Sequence, residues 1–353
     1  PLLNAISSSA IRTCSSLGVQ ERANIAWAFA KRDLADRPLF SALSAASIRR
    51  LKEFPAQSLS NTAWAFSDCG IQHMPLLHSL ASSARARISA FVTQDISNTA
   101  WSYSPLGLED EPLLEAIAAE ALPKLRAFKG QDLANTAWSF STRPILNSPL
   151  LQAIASSARA PIAHFDAQDL ANTAWAVSVR GVCHAGPLLD SIASEAIARI
   201  RQFCAQELSN TAWAYAVRAL RHHVPLVESI ASSALRSIAE YSAQDLANTA
   251  WALAKLERSD YMPLLDAIAA EAIRKIAQFV TQNMSNTAWA FAELFVWNLP
   301  LMDAIAAAAS RRLSGLRFGD GHTLLWSLEK GLGFAELWAT SERWLGGGGG
   351  GRG

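Results

Sequence analysis

Net charge is almost missing from this sequence. Lys and Arg number 31 and Asp and Glu 30, which leaves +1 at pH 7 over 353 residues. Charge alone therefore makes no case for nucleic acid. Cysteine is scarce as well. Cys14, Cys69, Cys183 and Cys204 form no CxxC pair and match no zinc spacing. Free thiols, buried or half-buried in a reducing compartment, are expected. No apolar run reaches the roughly 18 residues that a membrane helix needs. No signal peptide opens the chain and no targeting segment is present in it; it starts at Pro1, within a repeat. A glycine-rich phosphate loop ending in Gly-Lys-Ser/Thr and a His-Glu-x-x-His zinc motif are both lacking. The histidines are scattered, and the adjacent His222–His223 reads as a surface turn. The acidic residues fall mostly in helix first turns or in salt-bridge register. The expectation is a protein that is not an enzyme and takes no cofactor, metal or small-molecule substrate.

What is present is a repeat. Half of the residues are hydrophobic, and many of these are Ala, which favours helices in close packing. Trp recurs at 27, 64, 101, 138, 175, 213, 251 and 289, with a worn copy at 326, in steps of 37 or 38 residues. Gln stands seven before each Trp from Gln20 to Gln282, and Asn three before from Asn24 to Asn286. A Pro opens the second half of each repeat, from Pro38 to Pro300. So regular a period means a stacked array. Each repeat reads as two helices. In the first, Leu246, Ala250 and Leu253 make one apolar stripe, and an acidic residue such as Asp245 suits the first-turn dipole. The second opens on Pro, whose missing N–H costs nothing there. Glu271 precedes Lys275 by four, and Glu120–Lys124 and Glu195–Arg199 repeat the pair. Basic residues in its last turns, Arg311 and Arg312 among them, read as solvated charge matching the helix dipole.

The expected fold is all-α: an α-solenoid, a right-handed superhelix of two-helix repeats of about 37–38 residues. Residues 1–16 read as the second helix of a truncated repeat, 17–316 as eight tandem repeats, 317–345 as a degenerate repeat and cap, and 346–353 as a flexible glycine-rich tail.

Gln244, Asn248, Trp251 and Lys255 share one helical stripe, apart from the leucine stripe. Such a ladder could face a ligand, with Trp stacking on bases and Asn meeting base edges. It could equally join neighbouring repeats. A residue that selects among ligands must vary, and these do not. Asn61, Asn98, Asn135, Asn172, Asn210, Asn248 and Asn286 are therefore read as structural, as are Trp64, Trp101, Trp138, Trp175, Trp213, Trp251 and Trp289. Each Asn is expected to bond a backbone group next door, and each Trp to fill the seam between helices. The variable positions four and five after Trp are more informative. They carry Lys31, Lys255, Arg143, Arg180 and Arg218, with Arg221 close behind. These six are the candidate RNA contacts, because Arg at one-repeat spacing suits a phosphate backbone.

The phrase from Gln244 to Leu256, followed by Pro-Leu-Leu at a period near 38, resembles the octotricopeptide-type repeats. It is also similar to the helical repeats of FAST-kinase-like and RNA-editing substrate-binding complex proteins. The resemblance runs from about Gln20 to Gly315. It implies organellar binding of single-stranded RNA, in mitochondrion or plastid, serving RNA processing, stability, editing or translation. Protein partners of an RNA-processing complex are implied as well. Two features differ: nothing after Gly315 is long enough for a RAP domain, and the net charge is low. A protein-interaction scaffold of the α-solenoid type is the alternative.

Overall fold

The computed structural model describes residues 2–108, 110–142 and 147–312, with 323, 326 and 327. Arg143, the tail at 346–353 and nearly all of the expected cap at 317–345 lie outside the described residues. Over the described residues the chain is all-helical, without a strand. It divides into two compact units, Pro1–Ile192 and Ala193–Gly353.

The first unit holds α1 (Leu2–Thr13), α2 (Val19–Ala30), α3 (Arg37–Ile48), α4 (Ala56–Asp68), α5 (Met74–Arg85), α6 (Thr93–Tyr103), α7 (Glu111–Lys124), α8 (Gly130–Ser141), α9 (Ser148–Ser157) and α10 (Ala167–Val179). The boundary falls inside α11 (Gly186–Arg199). The second unit continues with α12 (Ala205–Val217), α13 (Val224–Ser237), α14 (Ala243–Lys255), α15 (Met262–Lys275), α16 (Thr281–Glu293) and α17 (Leu299–Ser310). The Trp-bearing helices, the A helices, are α2, α4, α6, α8 and α10 in one unit and α12, α14 and α16 in the other. Each packs on the next A helix of its unit, and the B helices pack, less closely, on one another from α1 to α9 in the first unit and from α13 to α17 in the second. That pattern is an α-solenoid.

Small residues let the A helices approach. In the Asn-Thr-Ala-Trp phrase the Thr and Ala are buried: Thr173 and Ala174 are both 0% exposed. Core aliphatics such as Leu133 and Leu246 seal the layer between A and B helices, with the residue two after Trp (Phe66, Tyr103, Phe291). Beyond every A helix but α8, whose following residues lie outside the described ones, the chain turns through a left-handed residue six after Trp: Asp33, Gly70, Gly107, Gly181, Ala219, Glu257 and Phe295 all have positive φ. The next N–H reaches back five residues, as Val296 does to the Phe291 carbonyl at 3.0 Å. This is a Schellman stop. Glycine serves it without strain at three of these positions only. The turn also absorbs the difference in period. From each Pro to the next Trp there are always 26 residues, so the extra residue of a 38-residue repeat sits between Trp and Pro. In the 37-residue repeats a side chain caps the B helix: Asp36, His73, Asp110, Asn147 and Asn298 each accept from the N–H three residues on. In the longer repeats His223 and Tyr261 occupy the cap without such a bond.

Each B helix from α3 to α15 ends in a short 3-10 turn and an aromatic residue, as in Ile276–Gln278 and Phe279, the latter 0% exposed. At four of these turns the carbonyls receive a cation from the next repeat. Arg87 donates to Leu51 and Phe54 at 2.6 and 2.5 Å. Lys124 donates to Phe91 at 2.8 Å, Lys275 to Tyr241 and Ala239 at 2.6 and 2.7 Å, and Arg312 to Phe279 and Ala277. Arg312 was expected to be solvated capping charge; it is instead a clamp between repeats. The expected pairs Glu120–Lys124, Glu195–Arg199 and Glu271–Lys275 form at 2.7, 2.9 and 2.7 Å. The cysteines are free, but Cys183 and Cys204 are exposed, whereas burial or half-burial was expected.

The first-turn acids do more than oppose the helix dipole. Asp95, Asp132 and Asp245 are buried and accept, respectively, from Ser60, Ser97 and Ser209 of the preceding A helix at 2.9–3.0 Å. They also accept from the N–H three residues back on their own helix. Asp169 lacks the serine, because Ala134 stands in its place. Room there is tight: a Cβ on Gly130 would lie 2.8 Å from an Asp169 carboxyl oxygen. Burial, with the carboxylates of Asp166 and Asp132, pushes the Asp169 carboxyl from 3.8 up to about 7. The protonated acid is thus favoured by folding. Its contribution is full below the unfolded value and is lost as pH rises from 3.8 to about 7. Asp169→Asn should remove that decline and stabilise the protein at about pH 8, by on the order of 2 kcal/mol. Calorimetry of both proteins at mildly acidic and mildly alkaline pH checks this, and identical pH dependence would refute it.

Candidate functional site

The stripe that the sequence places on one side of each A helix faces outward. Gln57, Gln94, Gln131, Gln168, Gln206, Gln244 and Gln282 are exposed, and the Asn and Trp four and seven residues later are half-exposed. The reason lies in the packing. Close approach of neighbouring A helices fills their flanks with Thr, Ser and Ala, which leaves no room there for the larger amide and indole.

At three steps the Trp side chains touch one another between repeats. Trp64 and Trp101 stack with centroids 6.1 Å apart and planes at 30°. In the second unit Trp213–Trp251 and Trp251–Trp289 lie 5.9 and 6.3 Å apart at 27° and 39°. The Trp ladder thus spans successive helices. It is also closed: a base inserted between two rings needs about 3.4 Å on each side, more than these steps offer. Stacking of bases between adjacent indoles is excluded at these steps.

The Asn ladder is a correction. No side-chain amide of Asn61, Asn98, Asn135, Asn172, Asn210, Asn248 or Asn286 makes a hydrogen bond among the described residues, although each was expected to bond a neighbouring backbone group. Serine-to-aspartate bonds and the basic clamps tie the repeats together instead. The Asn amides are presented to solvent with donors and acceptor unused. Between the first turns of α14 and α16 they line a groove of about 420 Å³ that includes Gln244, Asn248, Gln278, Gln282, Asn283 and Asn286.

The basic candidates have different fates. Lys31 lies over Trp64 and Trp27, its Nζ 4.6 and 6.0 Å from the ring centroids. Lys255 repeats this over Trp289 and Trp251 at 4.8 and 5.6 Å. Each lysine joins the ladder through the ring of the following repeat. Arg180, in the first unit, spends its Nε on the Ser141 carbonyl at 2.9 Å. In the second unit Arg218 is half-exposed, and Arg221 forms an ion pair with Glu257 at 2.7 Å. Arg143 lies outside the described residues. Sequence reasoning missed the exposed glutamines and weighted the Asn as seam. The available signal was the run of small Thr and Ala beside them.

An outward ladder of amides and indoles on stacked helix pairs defines a helical-repeat protein. A family model described as RNA-editing substrate-binding complex 6 protein matches residues 2–185 and, in a second overlapping match, 142–262. The chain belongs to that family. Overlapping matches are what a repeat array gives, since one model fits it in more than one register. No curated protein matches the chain. Among the described residues no helix is long and apolar enough to cross a membrane.

Proposed function

We propose that this chain is a non-enzymatic single-stranded RNA-binding protein of an organelle, mitochondrial or plastid, acting within RNA-editing machinery. One observation carries the reading: the Asn amides lie unbonded and accessible beside stacked indoles in each unit, with Lys31 and Lys255 over the rings. Amides can pair with base edges, indoles offer faces to sugars and bases, and ammonium groups meet phosphates. The family to which the chain belongs supports it.

A filter-binding titration with short single-stranded RNA tests it. Affinity should fall steeply with salt, and Lys31→Gln, Arg218→Gln and Lys255→Gln together should weaken binding at least tenfold. Binding that ignores both salt and these changes would refute the proposal.

A protein-binding scaffold is the second reading. It is favoured by Arg221, whose charge is already paired with Glu257 within the fold. Crosslinking that recovers a protein bound to the same face, and no RNA, would favour it.

A further inference from the structure

Resting on the RNA-binding reading, we infer that within each unit the strand lies across the A helices in a fixed transverse orientation. Its base edges lie on the Gln/Asn rows at the helix N-termini, its sugars over the Trp ladder, and its phosphates along the helix C-termini.

The A helices supply parallel tracks. Eleven residues separate Gln244 from Lys255, on the order of 16 Å along the helix axis. That is room for base, sugar and phosphate abreast. The tracks differ chemically. The N-terminal one holds neutral amides above buried carboxylates, those of Asp95, Asp132 and Asp245 among them. A phosphate there would meet like charge. The helix dipole favours anions at this end, but it amounts to about half a charge, against a full charge on each ionised aspartate. The C-terminal track holds Lys31 and Arg180 in the first unit, Arg218 and Lys255 in the second. It is interrupted in the first unit by the exposed Asp68, which occupies the position equivalent to Lys31. Phosphates are therefore met at separated points, while bases are met at every repeat. Because the amide rows are the same in every complete repeat, and an Asn or Gln amide can turn to offer donor or acceptor, they hold bases without choosing among them.

The test uses the whole chain, a short oligouridylate and its abasic ribose-phosphate counterpart, each titrated across a salt series. Lys255→Gln should flatten the salt dependence, on both ligands, by about 0.7 in log–log slope for each phosphate that no longer meets a cation. Asn248→Ala should weaken oligouridylate several-fold, leave the slope unchanged, and have no effect on the abasic strand. Asp68→Lys should tighten binding of both ligands and steepen the slope, a gain that impaired folding cannot mimic. Oligocytidylate and oligoadenylate should bind within about threefold of oligouridylate. If RNA binds but Asn248→Ala flattens the slope, or weakens the abasic strand equally, the orientation is wrong although RNA binding stands. Strong preference among the homopolymers would overturn the indifferent amide rows. If wild type binds neither ligand at low salt, the RNA reading itself fails.

Discussion

A chain carrying Asn61→Ala, Asn98→Ala, Asn210→Ala and Asn248→Ala should fold like wild type and bind single-stranded RNA about a thousandfold more weakly. The stability half of this follows from what these amides lack. They are half-exposed and make no hydrogen bond among the described residues, so their removal orphans no buried group. Ala is also the better helix former, by up to about 0.7 kcal/mol per site, so the melting temperature should hold or rise. The affinity half follows from what the amides offer. One hydrogen bond is worth about 1 kcal/mol net; four removed together come to about 4 kcal/mol, near three powers of ten. Thermal melting and filter binding on the same preparation decide it. A variant that melts well below wild type yet binds RNA normally would return the Asn to the structural role first expected of it.

Lys275→Met should cost about 2–4 kcal/mol, and Lys275→Arg should restore most of that. Met keeps the stem and removes the ammonium group. The Tyr241 and Ala239 carbonyls then lose their donor, and Tyr241 is 0% exposed. Glu271, only 8% exposed, loses its more enclosed partner and keeps Arg274, whose side chain is 63% exposed. The Glu271 carboxyl is held down to about 2 by the Arg274 hydrogen bond and by Lys275. Its contribution is therefore present above the ordinary glutamate value and lost as pH falls toward about 2. Rescue by Arg is expected because Arg87 and Arg312 do the same work in other repeats. Denaturant melts at neutral pH measure both changes. A cost below about 0.5 kcal/mol would place Lys275 among ordinary surface charges.

The period, the two helices per repeat and the leucine and aromatic core were legible in the sequence, because each rests on local spacing. The outward Asn was only half legible. Its stripe could be drawn on a helical wheel, but the wheel does not say which flank meets the neighbour. Constancy was taken to mean a seam, whereas the seam belongs to Thr and Ala, whose small size sets how closely the A helices approach. The bonds from Ser60 to Asp95 and from Lys124 to Phe91 join residues 35 and 33 apart. Ser, Asp and Lys are common surface types and the Phe91 acceptor is a backbone carbonyl, so nothing local marks them as partners. Glycine takes the left-handed turn at Gly70, Gly107 and Gly181; at Ala219 and Phe295 the same geometry is imposed on residues that do not announce it.

The turn between Trp and Pro gives the array a property of measurement. Repeat length drifts between 37 and 38 residues, yet the drift falls in a segment that sets neither the A-helix packing nor the clamps. Among the described residues its traces are the missing side-chain cap at His223 and Tyr261 and a second left-handed residue, His184, before Pro187. Trp64 and Trp101 are 37 residues apart and Trp213 and Trp251 are 38 apart, but their rings are separated by 6.1 and 5.9 Å. The ladder is a ruler whose graduations hold their pitch while the chain between them changes length.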